Sequence, residues 1–290
     1  MNTYHISVLL DEAISSLQIE PGKKYIDGTI GGGGHAQQIL KAGGIVLGID
    51  QDQEALDFVT QRFKDEKNVQ VAKGNFKDID VIAKKAGFVH VDGILLDIGV
   101  SSHHLDSGER GFSFMKEAPL DMRMDKDLQV RAGDLINILT KGELYDLFTK
   151  LGEERFSRSI VASIVNVRKL KRIETTTELA EIIKKAVPFS KKGINPATKV
   201  FQALRIAVND ELNSLSDSLP KAVKLLAPGG RLAVISFHSL EDRIVKRAFI
   251  DFEAKGIAKI ITKKPIIPEE KEIAENSRAR SAKLRVIEKI

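Results

Sequence analysis

Tyr25-Ile-Asp27-Gly28-Thr29-Ile30-Gly31-Gly32-Gly33-Gly34-His35 is followed about ten residues later by Ile45-Val-Leu-Gly48-Ile-Asp50. A short apolar run leads into five glycines within seven residues, and a second apolar run ends on an acid. Glycine has no Cβ, so the chain can turn sharply there and a ligand can come close to the main chain. An acid roughly 20 residues past the first glycine, at the tip of the next strand, can accept both hydrogen bonds of a ribose diol. Asp50 stands at that place. Residues His35 to Ala42 read as a helix whose N-terminus points at the ligand, which favours a negative or strongly polar group there.

Two ligands fit such a loop. Gly31-x-Gly33-x-x-Ala36 satisfies the dinucleotide pattern and suggests NAD. The acid Asp27, closing the strand before the glycines begin, suggests instead the loop of S-adenosylmethionine (SAM) enzymes, where a carboxylate meets the cationic methionine end. The loop by itself leaves both open.

Outward from the loop, apolar spacing predicts a helix over residues 8–18, leading through Pro21-Gly22 into the first strand. An amphipathic helix is expected from Gln53 to Lys64, a third strand from Val69 into the Gly74-Asn75-Phe76 loop, and a helix over 78–86. Phe76, just beyond a strand tip, either stacks on an adenine ring or fills the core. Val91-Asp-Gly-Ile-Leu-Leu-Asp97 is apolar on both faces, as expected of a central parallel strand covered by helices. Strand and helix alternate from residue 24 to 97, the doubly wound α/β pattern with its ligand at the carboxyl ends of the strands. Asp97 then faces the crevice.

From about residue 105 to 199 the strand pattern stops, while helical periodicity is strong at 132–139, 141–151, 156–169 and 177–186. The expected organisation is one domain from 1–104 plus 200–290, with 105–199 inserted as a helical substrate-recognition domain. The insert carries Lys169, Lys171 and Arg172, Lys184-Lys185, and Lys191 and Lys192. These suit phosphate contact, and equally a solvated lysine-rich face. The α/β pattern resumes with a long helix from Ala197 to Leu226, with turns expected near Ser216 and Pro220, then a tight turn at Ala227-Pro-Gly-Gly230. The fifth strand, Arg231 to His238, exits at the crevice through His238-Ser-Leu-Glu-Asp242-Arg243. A helix over 242–252, an edge strand over 259–267 containing Pro265, and a last strand over 284–290 complete the sheet. Arg278, Arg280 and Lys283 add basic side chains near the end.

The 290 residues are 29% charged and 42% hydrophobic, ordinary for a soluble domain, and long enough for a large core. A net charge of +5 with a pI near 9.1 hints at a polyanionic partner and also fits a merely lysine-rich surface. No cysteine occurs, which excludes disulfides, zinc–thiolate sites and thiol nucleophiles. No metal constellation is visible. Without a basic-then-apolar leader or an apolar run long enough to span a bilayer, a cytosolic, cytoplasmic protein is expected.

Eight longer motifs carry a specific resemblance. They are Asp27-Gly-Thr-x-Gly-x-Gly-Gly-His35, Gly93-Ile-Leu-Leu-Asp97-x-Gly-Val-Ser-Ser102, Glu109-Arg-Gly-Phe-Ser-Phe114, Pro119-Leu-Asp-Met-Arg-Met-Asp125, Gly152-Glu-Glu-Arg-Phe156, Pro196-Ala-Thr-x-x-Phe-Gln-Ala-x-Arg205, Leu226-Ala-Pro-Gly-Gly-Arg231 and Ser236-Phe-His-Ser-Leu-Glu-Asp-Arg243. Together they resemble the bacterial RsmH (MraW) family, SAM-dependent methyltransferases acting on N4 of a cytosine in 16S ribosomal RNA. The resemblance runs from the N-terminus to Asn276-Ser-Arg-Ala-Arg280 and makes NAD a remote alternative. It implies a class I SAM-dependent methyltransferase fold, a Rossmann-like doubly wound seven-stranded sheet with its last strand antiparallel, and an inserted helical subdomain that helps bind RNA.

The family's SAM contacts fall on Gly33, Gly34, His35, Asp50, Phe76 and Asp97, beside Asp27 and Gly31 of the loop itself. The family often has Pro-Gln after Val-Ser-Ser, and here His103-His104 stand instead, so the polar contact would come from the His104 imidazole. The partner implied is 16S rRNA, within the small ribosomal subunit, with a homodimer left open. The implied reaction displaces the SAM methyl in line by an exocyclic amine, which an acceptor must polarise and deprotonate. Asp97 with Ser101 and Ser102 is expected to orient that amine, and His238 or Asp242 to take the proton across the crevice. In the competing assignments Asp97 serves SAM alone and His238 caps a strand end. An RNA-binding assembly factor without activity would have a damaged SAM loop, and this one is intact.

Overall fold

The computed structural model describes residues 7–100, 108–187 and 195–290. The chain forms two compact units, residues 1–101 with 212–290, and residues 102–211.

The first unit is built on the apolar runs read above. β1 (Lys24–Asp27), β2 (Ile45–Asp50), β3 (Val69–Lys73), β4 (Val91–Asp97) and β5 (Leu226–Ser236) are parallel, and β7 (Lys283–Lys289) runs antiparallel between β5 and the short β6 (Ala258–Ile260). The order is β3-β2-β1-β4-β5-β7-β6, the seven-stranded class I methyltransferase arrangement that the resemblance implied. α1 (Leu10–Leu17), α2 (Gly34–Lys41) and α3 (Gln53–Arg62) contribute to one apolar layer. α4 (Ile79–Lys85), α10 (Glu211–Leu225) and α11 (Ser239–Ala254) contribute to another. Ile94, Leu95 and Leu96 are fully buried, as a strand covered on both faces requires. Pairing of Asp27 with Gly48 on one side and Leu95 on the other brings the ends of β1, β2 and β4 level. Asp27, Asp50 and Asp97 therefore share one rim of the sheet.

Three boundaries differ from the sequence reading. The long helix breaks at Asp210, which takes a left-handed conformation (φ 50°), while Pro220 lies inside α10. Aspartate tolerates that conformation better than most residues, so composition alone gave no warning. Ala227-Pro-Gly-Gly230 does not precede β5 but lies within it: Val91 pairs with Leu226 and Gly93 with Arg231, so the extra residues bulge out. A Cβ on Gly230 would sit 2.9 Å from the carbonyls of both Ala227 and Val91, which explains the glycine. The strand expected over 259–267 shrinks to β6 plus an isolated bridge from Ile266 to Leu284, since Pro265 cannot donate to the ladder.

The second unit comprises α5 (Ala132–Ile138), α6 (Lys141–Lys150), α7 (Ser157–Arg168), α8 (Thr176–Ala186) and α9 (Ala197–Asn209). Two of its helices are capped by threonine: Thr140 and Thr175 accept from the N–H groups of Glu143 and Glu178. α9 packs on α5, α6 and α8, so it belongs here; the sequence reading had joined residues 200–211 to the other domain because their apolar stripe continues into α10. The segment before α5 has no long element and is held by side chains. Arg110 donates to the carbonyls of Arg123 and Met124, and the Asn209 amide accepts from Met124 N–H while donating to Met122 O. Arg205 grips Glu211 through two 2.8 Å bonds. No helix among the described residues is long and apolar enough to cross a membrane.

Gly152 marks the crossing of α6 and α9: a Cβ there would lie 2.6 Å from Phe148 O and 2.8 Å from Lys199 O. Gly152→Ala is expected to destabilise by about 1–3 kcal/mol, because backbone cannot shift cheaply. Gly142, in the first turn of α6, has open space, and Gly142→Ala should stabilise by about 0.5–1 kcal/mol. Urea unfolding midpoints of the two variants check both signs.

Candidate active site

The glycine loop joins β1 to α2 and is braced from several sides. Gly28 N–H donates to Leu95 O at 2.9 Å, tying the loop to β4, and Ile30 N–H donates to Ile49 O at 3.0 Å, tying it to β2. Gly31 N–H donates to Asp50 Oδ2 at 2.9 Å, while Asp50 Oδ1 accepts from Asp52 N–H at 2.9 Å. A carboxylate offers about four lone-pair sites across its two oxygens, the acceptor capacity that a ribose diol would draw on. Gly33 caps α2 at φ 75°, and a Cβ there would meet the Phe63 ring at 2.8 Å. A Cβ on Gly34 would collide with the Ser7 hydroxyl. The Arg62 guanidinium clamps the outside of the loop through Gly32 O and the Gln37 side chain.

His35 is buried in the first turn of α2, with Nε2 3.2 Å from Val8 O and Nδ1 3.9 Å from Asp97 Oδ2. Phe76 opens a short 3-10 turn (Phe76–Asp78), half-buried and packed against the core, with its Cβ 3.6 Å from where a Gly28 Cβ would be. It is thus both core filler and a wall of the loop. Asn75 donates to Gln51 Oε1 at 3.0 Å, closing the rim beyond Asp50.

The electrostatic centre is the pair Asp27 and Asp97 at the ends of neighbouring strands. Asp97 N–H donates to Thr29 Oγ1 at 2.7 Å, and Thr29 N–H donates to Asp27 Oδ1 at 3.2 Å, so one threonine joins both. Burial, opposed by the Thr29 N–H and reinforced by the Asp50 charge, pushes Asp27 up to about 7. Burial, then Asp27 and Glu241, holds Asp97 well above the ordinary carboxylate range. Asp97 Oδ1 is buried without a hydrogen bond. A crevice of buried, mutually repelling carboxylates with an orphaned oxygen fits a cationic ligand, which would stabilise their ionised forms.

Across the β4–β5 step, His238 caps α11: its Nδ1 accepts from Glu241 N–H at 3.4 Å, and its Nε2 lies 3.0 Å from Glu241 Oε1. Glu241 is 0% exposed, and its Oε2 accepts from the N–H groups of Phe237 and His238. The imidazole thus builds the turn through Nδ1, while its buried Nε2 faces Glu241 Oε1 without a hydrogen bond among the described residues. Asp242 accepts from Arg285 at 2.7 Å and Lys283 at 3.2 Å, and although burial would raise its carboxyl, these partners bring it below the ordinary value. A carboxylate held ionised in this way is a weaker base than an ordinary one, which disfavours Asp242 as the proton acceptor.

Ser101, Ser102, His104, Lys191 and Lys192 lie outside the described residues. Lys171 is tied to Glu178, and Arg172 is 3.8 Å from Asp134, whereas exposed Lys169 makes no hydrogen bond or ion pair among the described residues. Arg278 and Arg280 sit on the exposed side of a 3-10 turn (Ser277–Ser281) leading into β7. Sequence reasoning passed over Thr29, Arg62 and Glu241. Thr29 and Glu241 stood inside quoted motifs, but their partners are distant in sequence.

The Asp27 shift fixes a pH dependence for the unliganded protein. Its folded value of about 7 exceeds the ordinary 3.8, so the group's contribution to stability is present at acid pH and is lost as pH rises through 7. Wild type should therefore lose melting temperature between pH 5 and 8 relative to Asp27→Asn, whose amide still accepts the Thr29 bond. Parallel melting curves for the two proteins across that range would contradict the assignment.

The MraW methylase family pattern matches residues 2–290. A Deinococcus radiodurans protein named ribosomal RNA small subunit methyltransferase H is 52% identical over 285 residues, covering 98% of this chain and 89% of that protein. A Brevibacillus brevis protein of the same name is 45% identical over 311 residues, covering 100% and 99%. A solved rRNA methylase from Streptococcus thermophilus superposes with a TM-score of 0.45 at 11% identity, over 97% of this chain and 93% of that one, a likeness to which the strand order owes nothing. Matched along its length and sharing half its residues with such a relative, the chain belongs to the MraW methylase family.

Proposed function

We propose that this methylase transfers the methyl group of SAM to N4 of a cytosine in 16S ribosomal RNA, with the small ribosomal subunit as the setting. The observation that supports it most is the Asp27–Thr29–Asp97 arrangement beside the glycine loop: a pair of carboxyls that a cationic ligand would hold ionised, next to an acid suited to a ribose. SAM supplies an electrophilic methyl on a sulfonium. Asp50 is placed to take the ribose, the Gly31–Gly34 main chain to admit the ligand closely, and Asp27 to meet the ammonium of the methionine end.

The nucleophile is an exocyclic amine whose lone pair is delocalised into the cytosine ring. Asp97 answers that weakness in two ways. Its oxygen without a partner can accept a hydrogen bond from the amine, which returns electron density to nitrogen, and burial makes its carboxylate more basic than an ordinary one, which favours uptake of the proton. Thr29 fixes the Asp97 main chain, and the Glu241-braced turn at His238 closes the far side of the same rim. The base must leave its stack to reach this depth, at a cost of a few kcal/mol. Phosphate contacts from Lys169, Arg172, Arg278 and Arg280 help offset it.

Asp97→Asn is expected to lower turnover on small-subunit RNA by about 100-fold or more while calorimetry finds SAM affinity unchanged. Loss of SAM binding with no separate effect on turnover would remove the proton-accepting role. Small-subunit RNA from a strain lacking the gene should lack the N4-methyl mass; an unchanged level would overturn the substrate.

A further inference from the structure

A cavity of about 260 Å³ opens at the carboxyl end of β5, toward β7, beside Phe237, which packs against the same apolar layer as α1, α2 and α3. Its apolar wall is Phe237, Ile267, Pro268 and Ile273, and its rim carries Arg280 and Lys283. The antiparallel course of β7 creates it: Ser236 at the end of β5 pairs with Lys283 at the start of β7, so the chain entering β7 passes over the crevice end of the sheet. Phe237 is half-buried, and a Cβ on Gly99, just past Asp97, would lie 3.6 Å from its ring. One ring thus adjoins both the β4 exit and the cavity. Ile267 is 63% exposed, unusual for an aliphatic side chain beside a cavity.

The charge is distributed unequally. Lys283 is partly neutralised by Asp242 at 3.2 Å. Arg280 is exposed and has no hydrogen bond or ion pair among the described residues. An aromatic ring and an aliphatic side chain below an unengaged guanidinium recognise a flat base carrying a phosphate. An acidic peptide would use the guanidinium but not the apolar floor.

We propose that this cavity is a subsite for a nucleotide adjacent to the methylated cytosine, its base stacked on Phe237 against Ile267 and its phosphate on Arg280. The neighbour is favoured over the target base by position. β5 and β7 lie one and two strands from β4, roughly 5 and 10 Å from Asp97, too far for an amine that must meet the methyl. A single strand spanning Asp97 and this cavity would be held at the extruded base and at its neighbour, which fixes its register.

This inference rests on the RNA methyltransferase reading, and the experiment separates the two. Wild type, Arg280→Ala and Phe237→Leu are compared for SAM affinity, melting temperature and steady-state methylation of small-subunit RNA. The expected result is a KM for RNA raised about tenfold in each variant with kcat and SAM affinity unchanged. A photo-crosslinking aromatic amino acid substituted for the exposed Ile267 is expected to attach to the nucleotide next to the methylated one. Variants equal to wild type, or a crosslink elsewhere in the RNA, would overturn the subsite while leaving the function intact. A wild type that methylates no small-subunit RNA would overturn the function itself. Should Phe237→Leu melt early, the exposed Arg280→Ala and the crosslink still decide.

Discussion

Two carboxylates buried side by side are the constraint on which the rest of this protein turns. Asp27 and Asp97 end adjacent parallel strands and share Thr29; Asp27 is fully enclosed by the sheet's packing, and Asp97 keeps one oxygen buried with its side chain 11% exposed. Without a ligand the arrangement is electrostatically unfavourable, and protonation relieves it. Strain of this sort persists only where the surroundings over-determine the geometry. Those surroundings are the paired ladders of β1, β2 and β4, the glycine turn tied to each of them, and the Arg62 clamp behind the loop.

The helical unit solves a different problem. It includes a long stretch without regular structure, which in most proteins would leave main-chain groups unpaired. Here buried Arg110 and Asn209 supply the missing partners, one donating to two carbonyls and the other both accepting and donating. Motifs such as Glu109-Arg-Gly-Phe and Pro119-Leu-Asp-Met-Arg thus earn their residues partly by holding the chain. Their guanidiniums are not automatically RNA contacts: Arg123 is spent on Asp121 and on the carbonyls of Lys126 and Leu128.

Much of this was legible in the sequence for a physical reason. Parallel strands buried on both faces advertise themselves as apolar runs, and their carboxyl ends locate the crevice, so Asp27, Asp50 and Asp97 could be placed together before any coordinates. What stayed hidden depends on partners far along the chain. His238 and Asp242 stood at the right strand end, yet only the structure reveals that Glu241 occupies one and Arg285 with Lys283 the other. The break at Asp210 was equally silent, because a single left-handed residue leaves the apolar periodicity on either side intact.

The reversed direction of β7 also fixes the polarity of the molecule's surface. Residues 277–283 reach the ligand-bearing rim because they precede an antiparallel strand, whereas Lys289 and Ile290 emerge at the opposite rim, Ile290 being 69% exposed. A fluorophore or affinity handle joined after Ile290 therefore sits a full strand length from the chemistry, roughly 20 Å away for seven residues. The same group inserted near Ser281 would stand at the rim where β4 and β5 end.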